Sequence, residues 1–196
     1  MYKEILTAIA IVLTLVGYVP YIRLILRGTV KPHVFSWVIW GAVTTIAFFG
    51  QLADGGGLGA WPIGLAGVLS IVVATLAYLK RADASITRLD WFFFVTALAG
   101  LPVWFLTSDP LWAVVISTTV DLLAAGPTLR KTYVNPFEED PVFFSVSIAR
   151  NVFALIALEH YSLTTMLFPV AICSVCAALI VIIMWRRPIL KAENES

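Results

Sequence analysis

The stretch G-Y-V-P-Y-I-R-L-I-L-R-G-T-V-K-P-H-V-F-S-W, Gly17 to Trp37, decides how this chain is read. An apolar run reaches Pro20, Arg23 follows, basic residues lead to Pro32, and a new apolar run begins. A second stretch, A-G-P-T-L-R-K-T-Y-V-N-P-F-E-E-D-P-V-F-F-S-V, Ala125 to Val146, follows the same plan. Both read as basic elbows between two apolar spans.

Composition points the same way. Of 196 residues, 60% are hydrophobic and 13% charged, and the mean hydropathy is +0.93. A soluble domain carries about a quarter charged residues, so this chain is expected to be an integral membrane protein. The net charge of +1 says little, because the charges are sorted by position. Cys173 and Cys176 sit inside an apolar run and give no disulfide framework. Lys3 and the apolar run from Ile5 resemble a signal peptide. But the run continues to Leu26, no A-x-A site follows, and the stronger basic flank is on the far side. A first transmembrane helix is expected there.

A helix needs roughly 20 apolar residues to cross the hydrocarbon layer. Runs and breaks predict seven spans, near 5–26, 34–53, 60–79, 90–107, 111–130, 142–159 and 163–185. With the N-terminus outside, Arg23, Arg27, Lys31, Lys80, Arg81, Arg88, Arg130, Lys131, Arg186, Arg187 and Lys191 all fall inside. These are eleven of the thirteen basic residues. Omitting the short fourth span, which contains Pro102, destroys that agreement.

The chain also repeats itself. Pro20 and Pro127 are 107 residues apart, and each opens P-x-x-R, with Arg23 and Arg130. Pro62 and Pro169 are again 107 apart. The third and seventh spans both end in paired bases, Lys80-Arg81 and Arg186-Arg187. P-H-V-F-S from Pro32 faces P-V-F-F-S from Pro141. A three-helix unit that starts outside ends inside, so one further crossing must precede a parallel second copy. The expectation is an all-α membrane protein of 3+1+3 helices: residues 1–81, a linker helix over 82–110, a second unit over 111–187, and a cytoplasmic tail over 188–196. Parallel repeats are a recurrent plan of secondary transporters, with substrate near midplane at the repeat interface.

The 3+1+3 plan, the proline closing helices one and five, the basic loop and the following serine resemble the PQ-loop superfamily. That group includes SWEET sugar transporters, PnuC vitamin-precursor transporters, lysosomal amino-acid exporters and the KDEL receptor. The likeness covers nearly the whole chain as architecture; the proline–glutamine pair itself is absent, since Tyr21 follows Pro20 and Thr128 follows Pro127. The resemblance implies solute transport by alternating access, with Pro20 and Pro127 matching two of the four SWEET hinge prolines.

The residues themselves suggest where chemistry lies. A proline inside a helix removes a backbone hydrogen bond and bends it, so Pro20, Pro62, Pro127 and Pro169 are candidate hinges. Equally, Pro20 and Pro127 could end their helices, and Pro62 and Pro169 could occupy first turns, where proline costs little. Asp121 and Arg150 each sit near the middle of an apolar span, where a charge costs about 2.5–3.5 kcal/mol. Counted from the connecting loop near Pro136, they reach similar depth, which predicts either a salt bridge or a shared water-filled cavity. Asp121 is then a proton-coupling or substrate carboxylate, or half of a static pair. Asn151 and Thr118 lie beside them, and Thr14 stands opposite Asp121 in the first unit. Trp37 and Trp40, three apart on one helix face, could stack on a planar or sugar-like solute or simply pack. Trp61, Trp91, Trp104, Trp112 and Trp185 read as interfacial belt. Ser36, Thr44, Thr45 and Gln51 add polar atoms to the second helix, and Gly64, Gly67 and Ser70 read as close-packing positions in the third.

Other signals are weaker. D-G-G-G-L-G, Asp54 to Gly59, has no preceding strand and no following G-K-[ST], so it reads as a flexible turn. Glu138, Glu139 and Asp140 suit the start of the sixth helix. His33 and His160 offer no metal-ligand spacing, Glu159 reads as a helix-end residue, and C-x-x-C without histidine is a poor zinc site. No cofactor, metal or nucleic acid is expected. The expected partners are a small-molecule substrate and the lipid bilayer, with a homo-oligomer allowed. A retinal protein is excluded, because Lys3, Lys31, Lys80, Lys131 and Lys191 all lie outside or at the ends of spans. An enzyme is not expected, since H-E-x-x-H and G-x-S-x-G are absent and one central carboxylate stands alone. The leading expectation is a transporter of a small polar solute such as a sugar, vitamin precursor or amino acid, in a bacterial inner membrane. The alternative is a seven-helix cargo receptor or sensor of the same architecture.

Overall fold

A computed structural model of the chain describes residues 2–30, 32, 34–80 and 88–195. Lys31, His33 and Arg81, and the expected unit boundary at residues 81 and 82, lie outside these. Seven α-helices occur among the described residues: α1 Tyr2–Leu26, α2 Val34–Ala53, α3 Trp61–Leu79, α4 Arg88–Thr107, α5 Pro110–Val134, α6 Pro141–Ala157 and α7 Leu163–Glu195. Single 3-10 turns at Gly57–Ala60 and Pro136–Glu138 precede α3 and α6. Five helices, α1, α2, α3, α5 and α7, are long and apolar enough to cross a membrane. α6, at 17 residues, is apolar but shorter. Large apolar side chains such as Val12, Phe105, Leu106, Val181 and Met184 point outward. Such a surface suits lipid rather than water.

The prolines do not stop their helices. α1 runs through Pro20 and ends at Leu26. What ends it is Gly28, whose φ of +75° is the left-handed conformation glycine adopts without strain. The amides of Gly28 and Thr29 return to the Ile25 and Leu24 carbonyls at 3.0 Å, closing the last turn. α5 likewise passes Pro127 and ends at Val134, where Asn135 is pushed out of the helix by Pro136. Pro62 occupies the first turn of α3, but Pro169 lies inside α7. α7 also continues through Pro188 to Glu195, so the helix extends over the stretch expected to be a separate tail. Asp140 is the N-cap of α6, its carboxylate accepting the Val142 amide at 3.0 Å.

The packing has an internal symmetry. α3 packs on both α1 and α2, and α7 packs on both α5 and α6. Across the middle, α1 packs on α6 and α2 on α5, with smaller contacts of α3 on α6 and α2 on α7. Exchanging α1 with α5, α2 with α6 and α3 with α7 maps this set of contacts onto itself. α4 stands apart, packed on the outside against α5 and α2. There Phe94 and Trp91 meet Phe35, with ring centroids 5.8 and 5.2 Å away. Close packing of α2 on α3 rests on small residues, as expected. A Cβ at Gly64 would meet the Phe48 ring at 2.8 Å, and one at Gly67 would meet Thr45 Oγ1 at 2.9 Å.

The bundle's two ends are built differently. At one end, Lys3 Nζ donates to the Leu158 carbonyl at 2.6 Å, and Gln51 Nε2 donates to the Thr165 carbonyl at 2.6 Å. At the other, Arg187 reaches the Pro136 and Glu139 carbonyls at 3.1 and 2.9 Å, and Arg186 reaches that of Tyr133 at 3.1 Å. The paired arginines of α7 thus clamp the second elbow.

Candidate functional site: a charged cavity between the two halves

A cavity of about 80 Å³ lies where the two sets of three helices meet. Its wall takes residues from α1, α2 and α3 on one side and from α5, α6 and α7 on the other, and none from α4 among the described residues. Trp37 and Trp40 from α2, Asp121 from α5 and Arg150 from α6 are all in that wall. Four of the site residues expected from the sequence therefore meet in one place.

Asp121 and Arg150 are 3% and 7% exposed. They share the cavity, but no ion pair joins them among the described residues. The reason is architectural. α5 and α6 pack on α7 rather than on one another, so equal depth along two antiparallel helices does not bring the side chains together. The cost is visible at Arg150, whose Nε and Nη1 are buried with no hydrogen-bond partner. Leaving a buried donor unsatisfied costs about 1–3 kcal/mol, and more when it is charged.

An aromatic layer borders the cavity toward the elbows. Phe143 lies 4.6 Å from Tyr21, 5.4 Å from Tyr18 and 6.0 Å from Trp37, between ring centroids. Trp37 stands edge-on to Trp40 at 5.3 Å. Beyond this layer is a second cavity of about 40 Å³, lined by Tyr21, Ser36, Thr128 and Glu139 among others. Trp37, Trp40, Phe143 and Phe144 line both cavities. They form the partition between them.

The remaining expected residues lie off the main wall. Ser36 is in the second cavity. Asn151 is buried beside Arg150, but its amide donates to the Ser147 carbonyl at 2.9 Å. Thr118 is buried on α5 with an unpartnered Oγ1, away from the cavity. Pro20, Pro62 and Pro169 line neither cavity, and the side chain of Pro127 lies outside the described residues. Tyr18 and Ser70 are in the wall and were not expected there; they hydrogen-bond across 52 residues of sequence at 2.8 Å. Ser70 thus does more than let helices approach. A tyrosine in a polar-poor helix, two residues before Pro20, was the only available signal.

The end opposite the elbows is closed by the D-G-G-G-L-G loop, which is more than a turn. Asp54 accepts a hydrogen bond from Ser162 Oγ and lies 3.5 Å from His160 Nδ1. Glu159 Oε1 accepts the Leu58 amide at 3.4 Å. A Cβ at Gly59 would meet the Leu158 and Ala157 backbone at 2.7–2.8 Å. The Ser162, His160 and Asp54 grouping is not a nucleophilic triad: serine and histidine both bond Asp54, so histidine is not placed to take the serine proton.

No protein-family model, curated protein or solved structure matches the chain. The fold and cavity therefore define a class only: an all-helical protein of membrane type, with a charged internal cavity shared between two similarly packed halves.

Proposed function

We infer that the chain is a membrane transporter that moves a small polar solute by alternating access. One observation carries the reading: six helices, three from each half, enclose a cavity holding a buried carboxylate and a buried guanidinium. Charged groups at membrane depth face the protein interior and mark solute or ion pathways, and parallel-repeat transporters bind substrate where the repeats meet. The matching packing of α1–α3 and α5–α7 supports a duplicated unit, with α4 as the linker that makes the copies parallel. The 3+1+3 resemblance to the PQ-loop superfamily supports the same function, and basic-residue placement supports a cytoplasmic face at the elbows.

In this reading the conformation seen is closed at the Asp54–Ser162 end and partitioned by aromatic rings at the elbow end. Each half then rocks about the cavity, opening one end as the other closes. The test is uptake into proteoliposomes by counterflow, with labelled amino acids, sugars and vitamin precursors. Saturable exchange of at least one solute is expected. Absence of exchange for every solute, together with tight binding of a peptide or protein, would make the chain a receptor instead.

A further inference from the structure

Asp121 and Arg150 line one small cavity without forming an ion pair, and this constrains the solute. Resting on the transporter reading, we propose that the cavity takes a small zwitterion, its ammonium facing Asp121 and its carboxylate facing Arg150.

Three observations combine. First, the two ionic side chains that line the wall among the described residues have opposite formal charge, so a ligand of zero net charge leaves the buried site neutral. A simple anion or cation would leave one charge uncompensated in a low-dielectric interior, which is strongly unfavourable. Second, Arg150 Nε and Nη1 are buried and unpartnered. A carboxylate satisfies two guanidinium donors at once, in the bidentate geometry that gives this pairing its strength. Two of the neutral hydroxyls in the wall, those of Tyr18 and Ser70, already satisfy each other at 2.8 Å. Third, the cavity is small. At about 80 Å³ it is well under the roughly 150 Å³ of an apolar cavity that admits benzene. A hexose, far bulkier than benzene, does not fit a space of this size; among zwitterions the smallest amino acids match it best. The apolar remainder of the wall, including Trp37, Trp40 and Phe143, then covers the ligand's carbon atoms and its cationic end.

The test is thermal unfolding of the purified full chain against a panel in matched buffer. The panel holds glycine, alanine, proline, β-alanine and glycine betaine; the single-charge analogues acetate, propionate, ethylamine and choline; and glucose. Bound ligand raises the unfolding temperature by mass action. At least one zwitterion is expected to shift it at concentrations at least about tenfold below any single-charge analogue. Arg150→Gln and Asp121→Asn should each weaken that zwitterion at least about tenfold, and Arg150→Lys should keep part of the affinity. If the charge-removing variants fail to fold, the wild-type panel still decides. Equal or better response to a single-charge analogue or to glucose, or no response to any zwitterion, overturns the proposal. The two readings fail separately in counterflow. Glucose exchange without zwitterion exchange sinks the zwitterion and keeps the transporter. Zwitterion binding without exchange of any solute keeps the site and sinks transport.

Discussion

Among single residues, the buried polar ones set the character of the molecule. Tyr18 and Ser70 tie α1 to α3 within the cavity wall. Tyr18→Phe removes one hydrogen bond and strands the Ser70 hydroxyl, and is expected to destabilise by about 0.5–1.5 kcal/mol. Thermal unfolding in detergent checks this; an unchanged midpoint would mean that the bond contributes nothing net. Asp121 and Arg150 were legible as buried charges because each interrupts an apolar run. Their lack of mutual contact was not legible, because it depends on α7 lying between the two helices. Thr14 shows the same limit. It matches Asp121 by position in the first half, yet its hydroxyl simply donates to the Ala10 carbonyl at 2.7 Å.

Helices and loops carry the conformational argument. The Asp54–Gly59 loop and the 157–162 connection meet backbone to backbone at Gly59. Gly59→Val places methyl groups against a main chain that cannot rotate away, so a loss of about 1–3 kcal/mol is expected from overpacking. A melting curve superimposable on wild type would show that the loop yields freely. A cysteine pair at positions 54 and 162, with Cys173 and Cys176 replaced by Ala, should form a disulfide where Asp54 and Ser162 now bond. Oxidation is expected to cut counterflow at least about tenfold, and reductant to restore it; the magnitude reflects locking of one gate in an alternating cycle. Full flux in the cross-linked protein would show that this end need not open. Glycines in this loop were visible in sequence, but glycine alone does not distinguish a free turn from a docked one.

At the scale of the whole chain, the prediction concerns orientation. Single cysteines replacing Asp54 and Asn135 in the same background probe opposite ends of the bundle. An impermeant thiol reagent added to intact cells should label position 54, and position 135 only after permeabilisation. The reverse pattern would invert the orientation and place the aromatic layer toward the outside. The symmetry of helix packing also predicts where cooperativity lies. The contacts of α1 on α6 and α2 on α5 cross between halves, so a destabilising change there should alter unfolding of both.

Chemistry that acts along the chain was readable directly from residues. Too little polar surface for a soluble core, basic residues gathered at alternate helix ends, and prolines recurring 107 apart are properties of the linear order. They foretold the helices, six of the seven starting within two residues of expectation. Helix ends were less exact, because a capping glycine or a continuing α7 overrides the proline that reads as a stop. The cavity itself belongs to the fold. Which side chains face one another depends on α3 and α7 each packing between two partners, and no local rule of period or propensity specifies that arrangement. Asp121 and Arg150 are two buried charges in the sequence; only packing holds them apart across a shared space that a ligand can fill.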